Sequence, residues 1–152
     1  IIQGVETLAL RFNQHQKNAR EFVEFLSSHP NVVSVIYPSK LSGPDKRNVA
    51  KYLKNGFGAL VGLELSGGVE AGRRFIENLK MFYHAANIGD ARSSAIHPAS
   101  TTHAQLSVED QIAAGVTPGY VRLSIGIEHI EDIIADLKQA LKLQEASRLD
   151  AA

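Results

Sequence analysis

An arginine in a strand-like stretch is the residue whose type and placement most directly suggest chemistry. In residues 121–128 the odd positions are all apolar, whereas the even positions are Arg, Ser, Gly and Glu. This alternation predicts a β-strand with one buried face, so that Arg122 and Ser124 share the other face. A guanidinium binds a carboxylate through two parallel hydrogen bonds, and a strand holds it rigidly. Arg122 is therefore a candidate carboxylate clamp; the alternative, a structural salt bridge or a solvated strand face, is slightly favoured by spacing alone.

A polar, histidine-rich segment at residues 84–103 is the second part of the candidate site. It contains three of the six histidines, interspersed with Asn, Asp, Arg, Ser and Thr, and it has no long apolar run. Its Gly and Pro residues predict a loop that ordered structure must hold in place. Within it, residues 87–89 (Asn-Ile-Gly) offer backbone N–H groups to an anion, the alternative being an ordinary turn. We expect this loop and Arg122 to hold a small carboxylate ligand together.

Other kinds of site are not expected. His97 and His103 are six residues apart, and no further ligands occur at the spacing of a metal site. Asp90, Ser93 and His97 could be imagined as a nucleophilic triad, but the chain has no Gly-x-Ser-x-Gly turn. No lysine has an obvious catalytic setting, and loop histidines more often form local hydrogen bonds than perform chemistry.

Composition is that of one soluble domain. The chain has 152 residues, 44% hydrophobic and 21% charged, and a formal net charge of zero. Nucleic acid and membrane are therefore not expected as partners. The absence of cysteine fits a reducing compartment, and no basic leader precedes the apolar pattern, so we expect a cytoplasmic protein. A chain that opens in a helical pattern without Met is expected to be a piece of something longer.

The pattern predicts alternating helices and strands. A long amphipathic helix ends near residue 29, and further helices are expected near 47–54, 69–79, 107–115 and 130–141. Strands are expected at 32–37, 57–65, 81–86 and 121–128. Helices with one apolar stripe alternating with strands predict an α/β (α+β) fold. We expect a two-layer sandwich with the helices on a four- to five-stranded mixed or antiparallel sheet. The polar tail, 147–152, is expected to fray.

Several motifs carry a family resemblance over almost the whole chain, from residue 3 to about 142. They are Gln-Gly-Val-Glu-Thr-Leu at 3–8, Gly-Phe-Gly at 56–58, Asn-Ile-Gly-Asp-Ala-Arg-Ser at 87–93, Ile-His-Pro-Ala-Ser-Thr-Thr-His at 96–103, Gly-Val-Thr-Pro at 115–118 and the 121–128 strand. Together they resemble the C-terminal domain of O-acetylhomoserine sulfhydrylases, in the Cys/Met-metabolism group of fold-type-I pyridoxal-phosphate enzymes. One departure is Ser94, where the resemblance leads us to expect Leu; we interpret it as a tolerated change at the pocket rim.

The resemblance implies a γ-replacement reaction, in which acetate leaves Cγ of O-acetyl-L-homoserine and sulfide or methanethiol replaces it, giving homocysteine or methionine. It implies a helix at 1–28 continuing from an upstream cofactor domain and a substrate-carboxylate domain at 29–146. Arg122 would bind the α-carboxylate, Asn87 and Ile88 would add contacts, and Ser93 would line the pocket. The rim would comprise His97, Thr101, Thr102 and His103.

The same resemblance places the cofactor-bearing lysine upstream, so this chain would contain no catalytic residue and would be inactive alone. It implies pyridoxal phosphate as cofactor, an amino acid as substrate, the upstream domain as partner and a homo-oligomer built from dimers. Two alternatives remain. One is a free-standing α/β module that binds a small carboxylate without catalysis, and the other is a cystathionine γ-synthase or γ-lyase relative.

Overall fold

The structure is a computed structural model that describes residues 2–149, with side-chain surroundings through residue 142. Two short 3-10 turns, Pro38–Lys40 and Pro98–Ser100, accompany the main elements. The helices are α1 (Ile2–Glu6), α2 (Leu8–Ser27), α3 (Gly43–Tyr52), α4 (Gly68–Asn78), α5 (Val108–Ala113) and α6 (Ile130–Leu149). The strands are β1 (Val32–Ile36), β2 (Leu60–Leu65), β3 (Tyr83–His84), β4 (Ser94–Ile96) and β5 (Tyr120–Ser124). No described helix is long and apolar enough to cross a membrane.

The five strands form one mixed sheet in the order β1-β2-β5-β4-β3. Neighbouring strands are antiparallel except β3 and β4, which run parallel. Arg122 of β5 pairs with Gly62 of β2 on one side and with Ile96 of β4 on the other. The predicted α/β fold with a mixed sheet is therefore confirmed, and Arg122 lies on a central strand of it.

Helices α2, α4 and α6 cover one face of the sheet, and the core lies between these two layers. Alternate residues of β2 and β5, among them Val61 and Leu123, point into this core. Phe22 of α2 and Phe75 of α4 are fully buried against them, and burial of such side chains stabilises the fold by about 1.5–3 kcal/mol each. The opposite, outer face of β5 carries Arg122, as the alternation predicts.

Polar side chains in the middle of α2 fasten two loops. His15 Nδ1 lies 2.6 Å from the Ile125 carbonyl, and Asn18 donates to the carbonyls of Gly126 and Glu128 at 3.0 and 2.8 Å. Gln16 accepts a hydrogen bond from the Gly58 backbone N–H at 3.2 Å. Because these groups are buried, their hydrogen bonds offset the cost of removing them from water. They fix the segment that follows β5 and the segment that precedes β2.

The prediction of a loop at residues 84–103 was wrong in part, because this segment contains strand β4. The three residues of β4 are buried and pair with β5, with Ala95 opposite Leu123. Ser94 therefore does not lie on a rim: its hydroxyl donates to the Asn87 carbonyl at 3.3 Å. The run is too short for its own pattern to reveal a strand, and pairing with β5 defines it.

Other boundaries also differ from the prediction. Helix α3 begins at Gly43, with a proline in its first turn where no N–H is needed, and β3 has two residues rather than six. The apolar stripe of the first helix is buried from Ala19 onward, but Leu8 and Phe12 are 53% and 47% exposed. Residues 147–149 continue α6, and the rest of the predicted frayed tail, 150–152, lies outside the described residues.

Candidate functional site: an arginine-lined cleft

Arg122 lies half-buried on the outer face of β5, and it forms no ion pair with a described acidic residue. Its Nη2 donates to the Ala86 carbonyl at 2.9 Å, which leaves the other guanidinium N–H groups available. Among the described side chains, no carboxylate lies within ion-pair distance of it. Its cross-strand neighbour Gly62 has no side chain to cover it. The positive charge is thus oriented by one hydrogen bond but not neutralised.

A cleft of about 420 Å³ opens beside Arg122. Polar groups in its wall come from Thr102, His103 and Tyr120, and apolar surface comes from Ile96 and Pro98. Arg122 and Tyr120 also border a smaller, mainly apolar cleft of about 270 Å³. A permanent cation beside a partly apolar depression suits a small organic anion, because the wall strengthens the interaction by excluding water.

Two hydrogen bonds from residues of β5 and to residues of β5 hold the 86–89 segment against the outer face of that strand. Besides the bond from Arg122 to Ala86, Gly89 N–H donates to Ser124 Oγ at 3.2 Å. Within the described part of the chain, the backbone N–H groups of Asn87 and Ile88 donate no hydrogen bond. The Ile88 side chain is 62% exposed. These two N–H groups therefore lie in the segment that Arg122 holds through Ala86. Their contact with an anion stays a prediction.

Ser93 is fully buried and lies in a structural network rather than on a pocket wall. Its backbone N–H and hydroxyl donate to the Glu128 carboxylate at 2.6 and 2.9 Å. Its hydroxyl also accepts from the Gly126 N–H at 2.8 Å. The structure therefore does not bring Ser93 to the Arg122 cleft; it ties the start of β4 to the segment after β5.

His97 is also buried, with 1% of its surface exposed. Its Nε2 lies 2.8 Å from the Pro118 carbonyl, and its Nδ1 lies 2.8 Å from Ser100 Oγ. Because a carbonyl only accepts, Nε2 carries the proton and Nδ1 accepts from the hydroxyl. Burial lowers the pKa of His97 below its usual 6.5, opposed in part by the Pro118 hydrogen bond and the charge of Glu64. A neutral His97 thus joins the 98–103 segment to the turn before β5, away from the cleft.

The remaining predicted rim residues divide between two roles. Thr101 Oγ1 donates to the His97 carbonyl at 2.7 Å and stabilises the turn. Thr102 and His103 line the cleft, with Thr102 Oγ1 2.9 Å from His103 Nδ1. The structure therefore assembles Arg122, Thr102 and His103 around one depression.

Sequence reasoning missed Tyr120, which lines the cleft beside Arg122. The period-two pattern contained the signal, since residue 120 is two positions before Arg122 and shares its face. It also missed the buried hydrogen bonds of Glu128, whose partner Ser93 lies 35 residues away. No local pattern indicates such a distant pair.

The fold and the site define the class: an α/β domain with an arginine on a central strand beside a small cleft. The family model described as "Cys/Met metabolism PLP-dependent enzyme" matches residues 1–142, and the chain belongs to this pyridoxal-phosphate-dependent family. It is 54% identical over 93% of its length to the O-acetyl-L-homoserine sulfhydrylase of Leptospira meyeri, of which it covers 32%. The chain spans about a third of the length of the curated relatives it matches.

Solved structures agree with the fold. One, named as an O-acetylhomoserine (thiol)-lyase of Campylobacter jejuni containing N'-pyridoxyl-lysine-5'-monophosphate, has a TM-score of 0.84 and 45% identity, over 92% of this chain and 33% of that one. A cystathionine γ-synthase of Xanthomonas oryzae in complex with aminoacrylate and cysteine has a TM-score of 0.83 and 40% identity, over 95% and 37%.

The cofactor's covalent site does not fit the residues present in this chain. The family relative just described carries its pyridoxyl group on a lysine. All eight lysines of this sequence lie on exposed positions, and none lines the Arg122 cleft. Among the described residues no group of His, Asp or Glu is arranged to hold a metal ion either.

Proposed function

We propose that this chain is the substrate-carboxylate part of a pyridoxal-phosphate-dependent γ-replacement enzyme. The full enzyme would make homocysteine or methionine from O-acetyl-L-homoserine and sulfide or methanethiol. The similarity to the Leptospira sulfhydrylase supports this reaction. In this chain Arg122 would bind the α-carboxylate, with the backbone of Asn87 and Ile88 adding contacts.

One observation supports the carboxylate role most directly: Arg122 has no acidic partner among the described side chains. A structural salt bridge, the alternative reading of this arginine, requires such a partner. A strand face open to water does not explain the single hydrogen bond to Ala86 that orients the guanidinium beside the cleft. A bidentate pair with a substrate carboxylate explains both features.

The residues of this chain would bind and orient the substrate rather than transform it. Pyridoxal phosphate, when bound to the enzyme, supplies the electron sink. Arg122 on β5 would fix one end of the amino acid, and Thr102 and His103 would border the space next to it. A carboxylate held in a fixed direction limits the rotation of Cα and Cγ, which lowers the entropic part of the barrier.

The partners follow from the same proposal. The upstream part of the enzyme would supply the cofactor lysine, and it would dock on the exposed apolar face that includes Leu8 and Phe12 of α2. We further propose a homo-oligomer built from dimers in the cytoplasm. A free-standing carboxylate-binding module is the alternative from another class. Such a module would bind an amino acid on its own and would not be part of a longer enzyme.

A second activity within the family is favoured by the 40% identity to a cystathionine γ-synthase. Such an enzyme would use cysteine, instead of sulfide, as the incoming thiol. The deciding experiment is product analysis of the full-length enzyme given O-acetyl-L-homoserine with sulfide, methanethiol or cysteine in turn. Homocysteine or methionine as the main product supports the proposal, cystathionine supports the second activity, and no turnover with any thiol contradicts both.

A further inference from the structure

Tyr120 is a neighbour of Arg122 on the outer face of β5, and it lines the same cleft with a side chain that has a hydrogen-bonding group. The two residues are separated by one position, so their side chains leave the same face about 7 Å apart. Both line the 420 Å³ cleft and both line the smaller apolar cleft. Their side chains thus form a common wall between the two depressions.

The Tyr120 ring packs over Gly62, whose lack of a side chain makes room for it. A Cβ atom at Gly62 would lie 2.7 Å from Tyr120 Cε2 and 3.1 Å from both Tyr120 Oη and Ile36 Cβ. The absence of a side chain at Gly62 therefore leaves the space that the ring occupies. A packed ring keeps the phenol group in a defined position without a hydrogen bond of its own.

The Tyr120 hydroxyl has no hydrogen-bond partner among the described residues, whereas the hydroxyl of Tyr37 donates to the Gly58 carbonyl at 2.9 Å. Glu64, the cross-strand neighbour of Tyr120, is already engaged with Thr117 Oγ1 and Gly119 N–H. Burial raises the pKa of Tyr120 from its usual 10, and the Arg122 charge lowers it only in part. The hydroxyl is therefore protonated at neutral pH and can donate.

We infer that Tyr120 is a second substrate-binding residue, whose hydroxyl donates to the same α-carboxylate that Arg122 binds. This inference rests on the proposed function. A carboxylate has two oxygens and room for several donors, so one phenol and one guanidinium on the same strand face can serve it together. The pair would recognise the α-carboxylate of an amino acid and reject the corresponding amine.

The test compares inhibition of the full-length enzyme by norleucine and by pentylamine, which is norleucine without its carboxylate. Tyr120→Phe removes only the hydroxyl. We expect it to weaken norleucine inhibition about tenfold to a hundredfold, the usual effect of losing a hydrogen bond to a charged group. Pentylamine inhibition and the melting temperature should stay unchanged. Tyr37→Phe is the matched control: it should lower the melting temperature and leave both inhibition constants unchanged.

Arg122→Lys, measured in parallel, separates this inference from the proposed function. If Arg122→Lys weakens norleucine inhibition and Tyr120→Phe does not, the role of Tyr120 is overturned and the clamp stands. If Tyr120→Phe weakens both inhibitors equally, the hydroxyl meets another part of the ligand and the inference is also overturned. If Arg122→Lys leaves norleucine inhibition unchanged, the proposed function itself fails.

Discussion

Arg122 holds a permanent charge at a half-buried position, with one backbone carbonyl as its only partner in the described structure. Withdrawing a charge from water costs free energy that a hydrogen bond to a neutral carbonyl offsets only in part. A bound carboxylate would supply the remaining compensation. This arrangement supports the proposal that the charge of Arg122 serves ligand binding more than folding.

The first prediction concerns Arg122→Lys in the full-length enzyme. Lysine keeps the charge but loses the planar fork, and breaking a desolvated charged pair costs about 2–5 kcal/mol. We therefore expect kcat/KM to fall by at least about thirtyfold. Most of the loss should appear in KM, because the carboxylate does not change during the reaction. Steady-state kinetics at several substrate concentrations measure the division.

Arg92→Lys is the matched control, because Arg92 lies over the Tyr83 ring, 4.0 Å from its centroid, and does not line the Arg122 cleft. It should change kcat/KM little. An unchanged kcat/KM with a lowered melting temperature for Arg122→Lys would remove Arg122 from the site and make it a structural residue.

The second prediction concerns acid stability through His97. Its pKa is lowered in the folded state, so the unfolded chain binds the proton more readily. The contribution of His97 is therefore fully present above pH 6.5, its unfolded value, and is lost as pH falls towards the folded pKa. We expect the melting temperature to fall from pH 7.5 to 5.5, and to fall less in His97→Gln, whose amide can donate to Pro118. Equal slopes in the two proteins would refute a neutral, buried His97.

The contrast between Arg122 and His97 shows what the sequence can predict about a site. Alternation along one strand places Arg122 on the outer face, because the period of a strand is a local property. The orientation of His97 depends on the Pro118 carbonyl, 21 residues away, and on the absence of a side chain at Gly72. The residue types of the 84–103 segment suggested polar chemistry, but tertiary contacts decide which side chains turn towards the cleft.

At the level of elements, long periodic segments were predicted well and short ones were not. The layers and the central strands β2 and β5 follow from apolar alternation. Strand β4, by contrast, is buried although its sequence is Ser-Ala-Ile. Its strand conformation comes from pairing with β5, and a three-residue run is too short to carry a period.

The third prediction tests how α4 packs against His97. A Cβ at Gly72 would lie 2.4 Å from His97 Cδ2 and 2.5 Å from Nε2. Because two hydrogen bonds hold the ring, it cannot easily move away. Gly72→Ala should therefore destabilise the fold by about 1–3 kcal/mol, seen as a melting temperature lower by several degrees. Gly4→Ala in α1, where a Cβ meets nothing within 4 Å, should leave stability unchanged or slightly raised. Equal melting temperatures for the two variants would contradict the packing.

At the scale of the whole molecule, every lysine lies at an exposed position. The fourth prediction is that this 152-residue chain forms no specific covalent adduct with pyridoxal phosphate. After incubation and borohydride reduction, peptide mapping should show weak labelling spread over several lysines. A stoichiometric adduct at one lysine would overturn the proposal that the cofactor is held elsewhere in the enzyme.

The last prediction concerns an apolar face beside the first turns of α2, formed by Leu8, Phe12, Leu60 and Ile88. These side chains line one cleft of about 340 Å³, and each is at least 40% exposed. Exposed apolar surface of this kind marks an interaction site. We expect the 152-residue chain to fold cooperatively, because its core between helices and sheet is continuous, but to associate as its concentration rises.

Substitution of both Leu8 and Phe12 by Gln should reduce this association, because polar side chains remove the gain from burying the face. The melting temperature of the dilute protein should change little, since both side chains are about half exposed already. Leu10→Gln is the matched control: Leu10 lies in the same helix, is 73% exposed and does not line the cleft. Sedimentation velocity over a hundredfold concentration range measures the result. A parent chain that remains monomeric throughout, or an equal effect of Leu10→Gln, would show that this face is not the docking surface.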